Sequence, residues 1–462
     1  MKNKKRWLAV ILCLAMAVPL FGCSPAAPSS SPADSGSTPA ASTDKVKITY
    51  ANWGSADEIK TLQGVVDKFN STHPNIEVEI MPIPHDGYVE KLNTMATANQ
   101  LPDTGIMIEQ SVIQWAQNGM LADVSSMYGA GDSKPMENLA YKYQGKTVAY
   151  ASANEIITMY YNKDMFDKAG IAYPPTSVDK AWTWDEFVAN AKKLTLDKNG
   201  KHPGDSGFDP KNIVQYGCMI ENLTWQLEWP ILSNGGGIYS ADGSKLTVGE
   251  PAAIEAIQKV ADLYLKDHVA PLSAGTTDDG VQRSLIAKTC AMTTNGTWNV
   301  GTCLGTAREE GLNYGIAVLP YMKQKATIST AGANVVFSQS KHQKEAMEWI
   351  KWYYQEENSW DLIKSGIWMP LTEKYYTDET LTHKWVDNPN FPPYNDYKSA
   401  VVDSALDRNY THSAAWFYAN NTVDVNNLLQ SILGDVWTGK TTAQQAITSN
   451  LDKLQAAFEG KN

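Results

Sequence analysis

Cysteine is scarce in this chain, at five of 462 residues, and only Cys218, Cys290 and Cys303 lie beyond position 23. Three thiols cannot make a disulfide framework. Cys290 and Cys303 could pair, but buried free thiols are the expected state. A basic surplus is also missing: 39 Lys and Arg stand against 50 Asp and Glu, for a net charge of −11. That balance argues against nucleic acid or an anionic bilayer surface as a partner. The seven His are scattered without metal-ligand spacing. There is no His-Glu-x-x-His, nucleophile elbow or phosphate loop, so no cofactor is expected. Asp197, Asn199 and Asp205 around Gly200 do not complete a calcium loop and read as a polar turn. Beyond the first 22 residues, no apolar run reaches the roughly 20 residues that span a bilayer.

What is present begins with Lys2, Lys4, Lys5 and Arg6, followed by an apolar run from Trp7 to Leu20. Residues 1–22 therefore read as an export signal. Leu20-Phe21-Gly22-Cys23 resembles the lipobox of bacterial lipoproteins, although Phe21 stands where a small residue is common. On that resemblance Cys23 is lipidated, becomes the mature N-terminus and anchors the chain to the extracytoplasmic face of the cell membrane. Loss of the four basic residues would take the net charge from −11 to −15. Residues 23–44, rich in Ser, Pro and Ala, read as a flexible tether.

The rest, some 420 residues, is long enough for about two domains. Val46, Ile48 and Tyr50 alternate with Lys47 and Thr49, which predicts a strand ending at the Trp53-Gly54 turn. Ser55 and Glu58 have capping-box spacing, and Ile59, Leu62, Val65, Val66 and Phe69 follow at helical intervals. A strand over Ile76–Ile80, a helix through Tyr88, Leu92 and Met95, and a short strand at Ile106–Ile108 complete the pattern of an open, mostly parallel α/β sheet. A second α/β unit is expected from the capping box Thr183/Glu186, a helix over Ala252–Leu265 and a strand over Thr289–Thr293. Strands at Tyr314–Leu319 and Ala333–Ser338 follow. A helix over Lys341–Glu356 comes next, with Ala346, Met347, Ile350, Tyr353 and Tyr354 inward, before a mostly helical tail from Asn420 to Phe458.

Several short segments occur in order across some 400 residues: Leu101-Pro102-Asp103, Gly119-Met120-Leu121-Ala122-Asp123, Tyr160 to Phe166, Thr183 to Phe187, Asn295-Gly296-Thr297-Trp298 and Tyr314 to Pro320. Together they resemble the extracellular solute-binding proteins of ABC importers, in the sugar-binding group that includes maltose-binding proteins. The resemblance implies a two-lobed periplasmic-binding-protein-like α/β fold, with discontinuous lobes, a hinge and a ligand cleft between them. It places lobe one at 45–153 plus 314–360 and lobe two at 154–313 plus 361–462. It also implies a monomeric binding subunit that delivers a carbohydrate ligand to the transmembrane subunits of an ABC permease, without catalysis.

A sugar presents hydroxyls around its rim and apolar C–H faces, so its site needs hydrogen-bonding side chains beside aromatic platforms. Ligands of open α/β sheets sit beyond the carboxyl ends of strands, where Trp53, Glu109, Gln110 and Asn334 would fall. By the resemblance, Trp298 stacks on the sugar, Trp416 reaches the cleft from lobe two and Glu155 binds ligand. Glu58 is a candidate despite its place in the capping box. Trp225 and Trp229, four apart, should share one helical face. Glu221, Asn295 and Trp368 complete the candidate set. Two other readings remain open: the same fold binding a polyamine or peptide, and a lipid-anchored glycoside hydrolase using a carboxylate pair.

Overall fold

The computed structural model describes residues 45–54, 56–272 and 281–461. The export signal, Cys23, the tether and Ser55 of the expected capping box lie outside the described residues.

Thirteen strands occur among the described residues. The first six are β1 (Val46–Asn52), β2 (Ile76–Pro82), β3 (Thr104–Met107), β4 (Ala140–Tyr143), β5 (Lys146–Ala151) and β6 (Glu155–Asn162). The others are β7 (Leu196–Asp197), β8 (Ile213–Gln215), β9 (Met292–Gly296), β10 (Tyr314–Ala317), β11 (Thr327–Thr330), β12 (Ala333–Val336) and β13 (Thr411–Ser413). Two sheets carry the architecture, the first in the order β2-β1-β3-β12-β5-β4. The second runs β10-β6-β11-β13, with β9 paired to β6.

The expected parallel arrangement holds where strand–helix–strand units build it. β1 pairs in parallel with β2 and β3, because the intervening helices Ala56–Thr72 and Tyr88–Thr97 carry the chain back over the sheet. Leu62, Val65, Val66 and Phe69 are all buried on the inner side of the first of these helices. β12, β5 and β4 then add antiparallel. The second sheet is mostly antiparallel, with only β11–β13 parallel. Its centre is β6, all eight residues of which are buried.

One expected boundary and one expected helix face change. Tyr314–Ala317 and Thr327–Thr330 pair with β6, so they belong to the second sheet, and the chain re-enters the first sheet only at Ala333. The helix Gln343–Tyr353 turns Trp349 inward and leaves Met347 half-buried. Trp349 packs edge-on to Tyr50 and Phe69, with centroids 5.6 and 5.1 Å away. The Thr183/Glu186 capping box forms as expected: Glu186 N–H donates to Thr183 Oγ1 at 3.2 Å, and Thr183 N–H to Glu186 Oε2 at 2.8 Å.

The chain passes between the sheets at β5 to β6 and at β11 to β12. These crossings lie side by side, since Ser152 donates to Gly332 O from both its N–H (2.8 Å) and its Oγ (3.0 Å). A third segment lies against them, with Asn154 N–H directed at Met369 O. Glu155 opens β6 directly beyond the first crossing, opposite Thr330, and is buried.

Candidate functional site

The second sheet supplies the most concentrated polar and aromatic group. The segment ending in Glu221 runs beside β9, where Met219 N–H donates to Met292 O and Thr294 N–H to Met219 O. That pairing sets the fully buried Glu221 beside Asn295. Glu221 Oε2 accepts from Asn295 Nδ2 at 3.2 Å and from Gln226 Nε2 at 3.3 Å. Asn295 Oδ1 in turn accepts from Asn299 Nδ2 at 3.0 Å and from Gly296 N–H at 2.8 Å. A buried carboxylate is tolerable when donors surround it, and amides supply them here.

Beside this network stand two half-buried indoles, Trp225 and Trp298, with ring centroids 6.1 Å apart and planes at 43°. Trp298 folds back over Gly296, where a Cβ would lie 1.8 Å from the ring. Only glycine permits that approach. Trp229 departs from the expected shared face. Trp225 lies in a 3-10 turn, Thr224–Leu227, whereas Trp229 belongs to the α-helix Glu228–Ser233, so the four-residue periodicity is broken between them. Trp229 is fully buried, with Trp184 6.5 Å away, and serves the core.

On the first sheet, Trp53 follows β1 and is half-buried, edge-on to Tyr88 at 5.0 Å and to His85 at 5.6 Å. Its ring borders Gly332 in the second crossing, where a Cβ would come within 3.0 Å of it. Glu58 is half-buried in the first turn of the helix Ala56–Thr72. Glu109 and Gln110, also half-buried, open a 3-10 turn after β3. Asn334 departs from the expected cleft position: it is buried in the middle of the first sheet, and its Oδ1 accepts from Tyr50 OH at 2.6 Å. Trp368 is half-buried and lines a small cavity behind the crossings, with Ser152, Glu356 and Met369.

Trp416 lies in the turn Ala415–Phe417, which follows β13 and packs against the Glu109–Ser111 turn of the first sheet. It is buried, and its Nε1 has no hydrogen-bond partner in the protein. Next to it, Phe417 stacks on Tyr141 at 4.2 Å. The turn continues into the helix Thr422–Trp437, where Thr422 Oγ1 donates to Gln110 O at 2.8 Å. The structure thus joins Glu221, Trp225, Asn295 and Trp298 in one group, and brings Glu109 and Gln110 to the Trp416 turn. Gln226, Gly296 and Asn299 belong to the first group although sequence reasoning did not select them. Each is flanked by a residue that it did.

Cys218, Cys290 and Cys303 are free and buried, as expected. Burial raises the Cys218 thiol well above its ordinary range and pushes Cys290 to about 12. The Asp197 carboxylate accepts the N–H groups of Asn199, Lys201 and Asp209, which makes the polar turn that was expected. Among the described residues, no group of three His, Cys, Asp or Glu could hold a metal ion. Among the same residues, no helix is long and apolar enough to cross a membrane.

Two sheets joined by paired crossings, with aromatic and amide groups on both, define the class as a two-lobed solute-binding fold. Solved structures agree on the fold. The ABC substrate-binding protein Lmo0181 of Listeria monocytogenes, in complex with cycloalternan, matches with TM-score 0.74 at 23% identity over 91% of this chain and 100% of that one. A solute-binding protein of Thermotoga lettingae bound with α-D-tagatose matches with TM-score 0.73 at 20% identity, over 90% and 100%. In sequence, the sn-glycerol-3-phosphate-binding periplasmic protein of Pectobacterium atrosepticum is 22% identical, over 86% of this chain and 88% of its own length. The profile of the bacterial extracellular solute-binding protein family covers residues 64–393. The chain belongs to that family of extracellular solute-binding proteins.

Proposed function

We propose that this chain captures a mono- or oligosaccharide between its two lobes by hinge closure and presents it to the permease subunits of an ABC importer, leaving it chemically unchanged. The observation that carries this reading is the Trp225–Trp298 pair standing beside the Glu221–Asn295–Gln226 network. Indole faces suit the C–H face of a sugar, and fixed amides and carboxylates suit its hydroxyls. The cycloalternan and tagatose complexes of the fold's relatives support the same ligand class. None of the candidate site residues is a Lys or Arg that could neutralise a phosphate, which weighs against the phosphorylated polyol of the Pectobacterium relative. A polyamine would call for exposed carboxylates in a cluster, whereas Glu221 is held by amides of its own chain.

In this reading Cys23 carries the lipid that holds the protein, as a monomer, on the extracytoplasmic face of the cell membrane. Loss of membrane association in a Cys23→Ala variant would bear that out. Ligand class is tested by thermal shift of the full chain against D-tagatose, cycloalternan, maltotriose, sn-glycerol 3-phosphate, spermidine and a tripeptide. A ligand at 100 times its Kd adds about 2.7 kcal/mol to native stability. A shift confined to sugars, with the sugar recovered intact, is the expected result. A shift only with the phosphate, amine or peptide overturns the ligand class, and a cleaved sugar overturns the absence of catalysis.

A further inference from the structure

We propose that Glu228 is a positioning residue for the aromatic turn Ala415–Phe417, holding Trp416 and Phe417 against the first-sheet residues Glu109–Ser111 and Tyr141. Glu228 starts the helix Glu228–Ser233 and is 4% exposed. Its Oε1 accepts the Ala415 N–H at 2.6 Å, a bond spanning 187 positions of sequence. A carboxyl group removed from water is costly, so an apolar residue would fill this place more cheaply unless the bond served a purpose. The turn itself shows what that purpose is. It is tied to the second sheet at one end, where Ala414 N–H donates to Ser329 O. At its other end it leads to Thr422, which reaches across to Gln110 O. Glu228 pins the stretch between them, which carries Trp416 and Phe417.

The chemistry of Glu228 makes this pin sensitive to pH. Burial raises its carboxyl to about 8, against the smaller lowering effect of the Ala415 N–H. The titratable groups that sense its charge are the phenols of Tyr239 and Tyr418; both are raised first by their own burial and then by Glu228, and Tyr418 also by Asp242. Among the described residues, burial and the Ala415 N–H are what shift Glu228, and no Lys or Arg is among the causes. As a neutral acid it accepts the Ala415 N–H through its carbonyl oxygen. Ionisation above about pH 8 makes a better acceptor for that N–H, but the larger cost of a charge held away from water favours openings of the turn that let water reach it.

The consequence for ligand affinity rests on the sugar-binding reading, but the positioning role does not, so it is tested in ligand-free full-length protein. Hydrogen exchange of peptides spanning 412–420 is measured at pH 6.5 and pH 9, corrected for intrinsic rates, with the helix Gln343–Tyr353 as control. Glu228→Ala should speed exchange of the turn about tenfold, the loss of one well-made hydrogen bond, with the control unchanged. Glu228→Gln, which keeps an acceptor and cannot ionise, should restore protection and abolish the loss that the native protein shows at pH 9. Native-like protection in a folded Glu228→Ala variant overturns the proposal. So does the same pH dependence in the native protein and in Glu228→Gln, and this comparison decides the matter if the Ala variant does not fold. With D-tagatose or cycloalternan, Glu228→Gln should flatten the alkaline fall in affinity. Absence of sugar binding would sink the sugar reading while leaving the exchange result to judge Glu228.

Discussion

Gly296→Ala should disable the Trp298 platform without altering any side chain proposed to touch ligand. The added Cβ would meet the Trp298 ring at 1.8 Å, whereas ordinary contact begins near 3.4 Å, so the ring must retreat by about 1.6 Å or the strand must shift. Gly296 sits at the end of β9 in a fixed place, its N–H bonded to Asn295 Oδ1 and its carbonyl accepting from Tyr160 OH at 3.0 Å. The half-exposed ring therefore yields before the strand does. Overpacking of this kind costs about 1–3 kcal/mol of stability. Displacing a central aromatic anchor costs about 2 kcal/mol or more of binding, which is roughly 30-fold in Kd. Isothermal titration with the sugar identified by thermal shift, on Gly296→Ala, Trp298→Ala and Trp225→Ala, measures the effect. Weaker binding in all three, with cooperative unfolding retained, is expected. Full affinity in Trp298→Ala would refute the platform itself. Full affinity in Gly296→Ala alone would refute the claim that the seat of the ring over Gly296 sets its function.

Gly217→Ala should destabilise the fold by about 3 kcal/mol or more in urea unfolding, because its Cβ would fall 1.9 Å from the backbone carbonyl of Ala191, which cannot rotate away. Cys218, Cys290 and Cys303 should resist Ellman's reagent in the native protein and react together with unfolding; fast reaction of any one without denaturant would contradict its burial. Glu228 also makes stability depend on pH. Its folded value of about 8 lies above its ordinary 4.5, so native protein keeps a proton that unfolded protein releases between those values. Its stabilising effect is complete below about pH 4.5 and is lost as pH rises through about 8. Native protein should therefore lose on the order of 4 kcal/mol relative to Glu228→Gln between pH 5 and pH 9 in urea titrations. A constant difference between the two would contradict this.

Local signals in the sequence translated well into structure. The Thr183/Glu186 box formed because both partners lie within one helical turn, and the spacing of Leu62, Val65, Val66 and Phe69 marked a buried stripe for the same reason. Parallel pairing of β1 with β2 and β3 was legible because the helices between them dictate it. Long-range pairing was not. Nothing within Tyr314–Ala317 shows that its partner is Asn162–Met159, so the sheet to which β10 and β11 belong lay outside local pattern. The site divided along the same line. The Asn295–Trp298 motif is local and kept its place, but the Tyr50 partner that takes Asn334 into the core is 284 positions away. Trp229 was misplaced by assuming one helix where the chain changes from 3-10 to α geometry. Glu228 was not singled out in the sequence, because its partner, Ala415, is 187 positions away.

The same long-range contacts bear on how closure would be controlled. The crossings bind each other through backbone and Ser152, and if they form the hinge of the proposed reading these bonds would change little as the lobes rotate. Further out, Thr422 Oγ1 bonds Gln110 O at 2.8 Å and Gln114 Nε2 approaches Asp424 Oδ2 at a long 3.4 Å. Each contributes on the order of 1 kcal/mol at most. Moving a two-state equilibrium from 1:99 to 99:1 takes about 5.5 kcal/mol. These two bonds therefore supply only a minor part; the Phe417–Tyr141 stack and the Ser413 Oγ bond to Asn138 O add to it, and in the proposed reading a ligand touching both lobes would supply the rest. In the proposed reading the ligand would touch Trp225 and Trp298 of the second sheet and the Glu109–Gln110 turn beside the first, so binding strength and closure would be set by the same contacts.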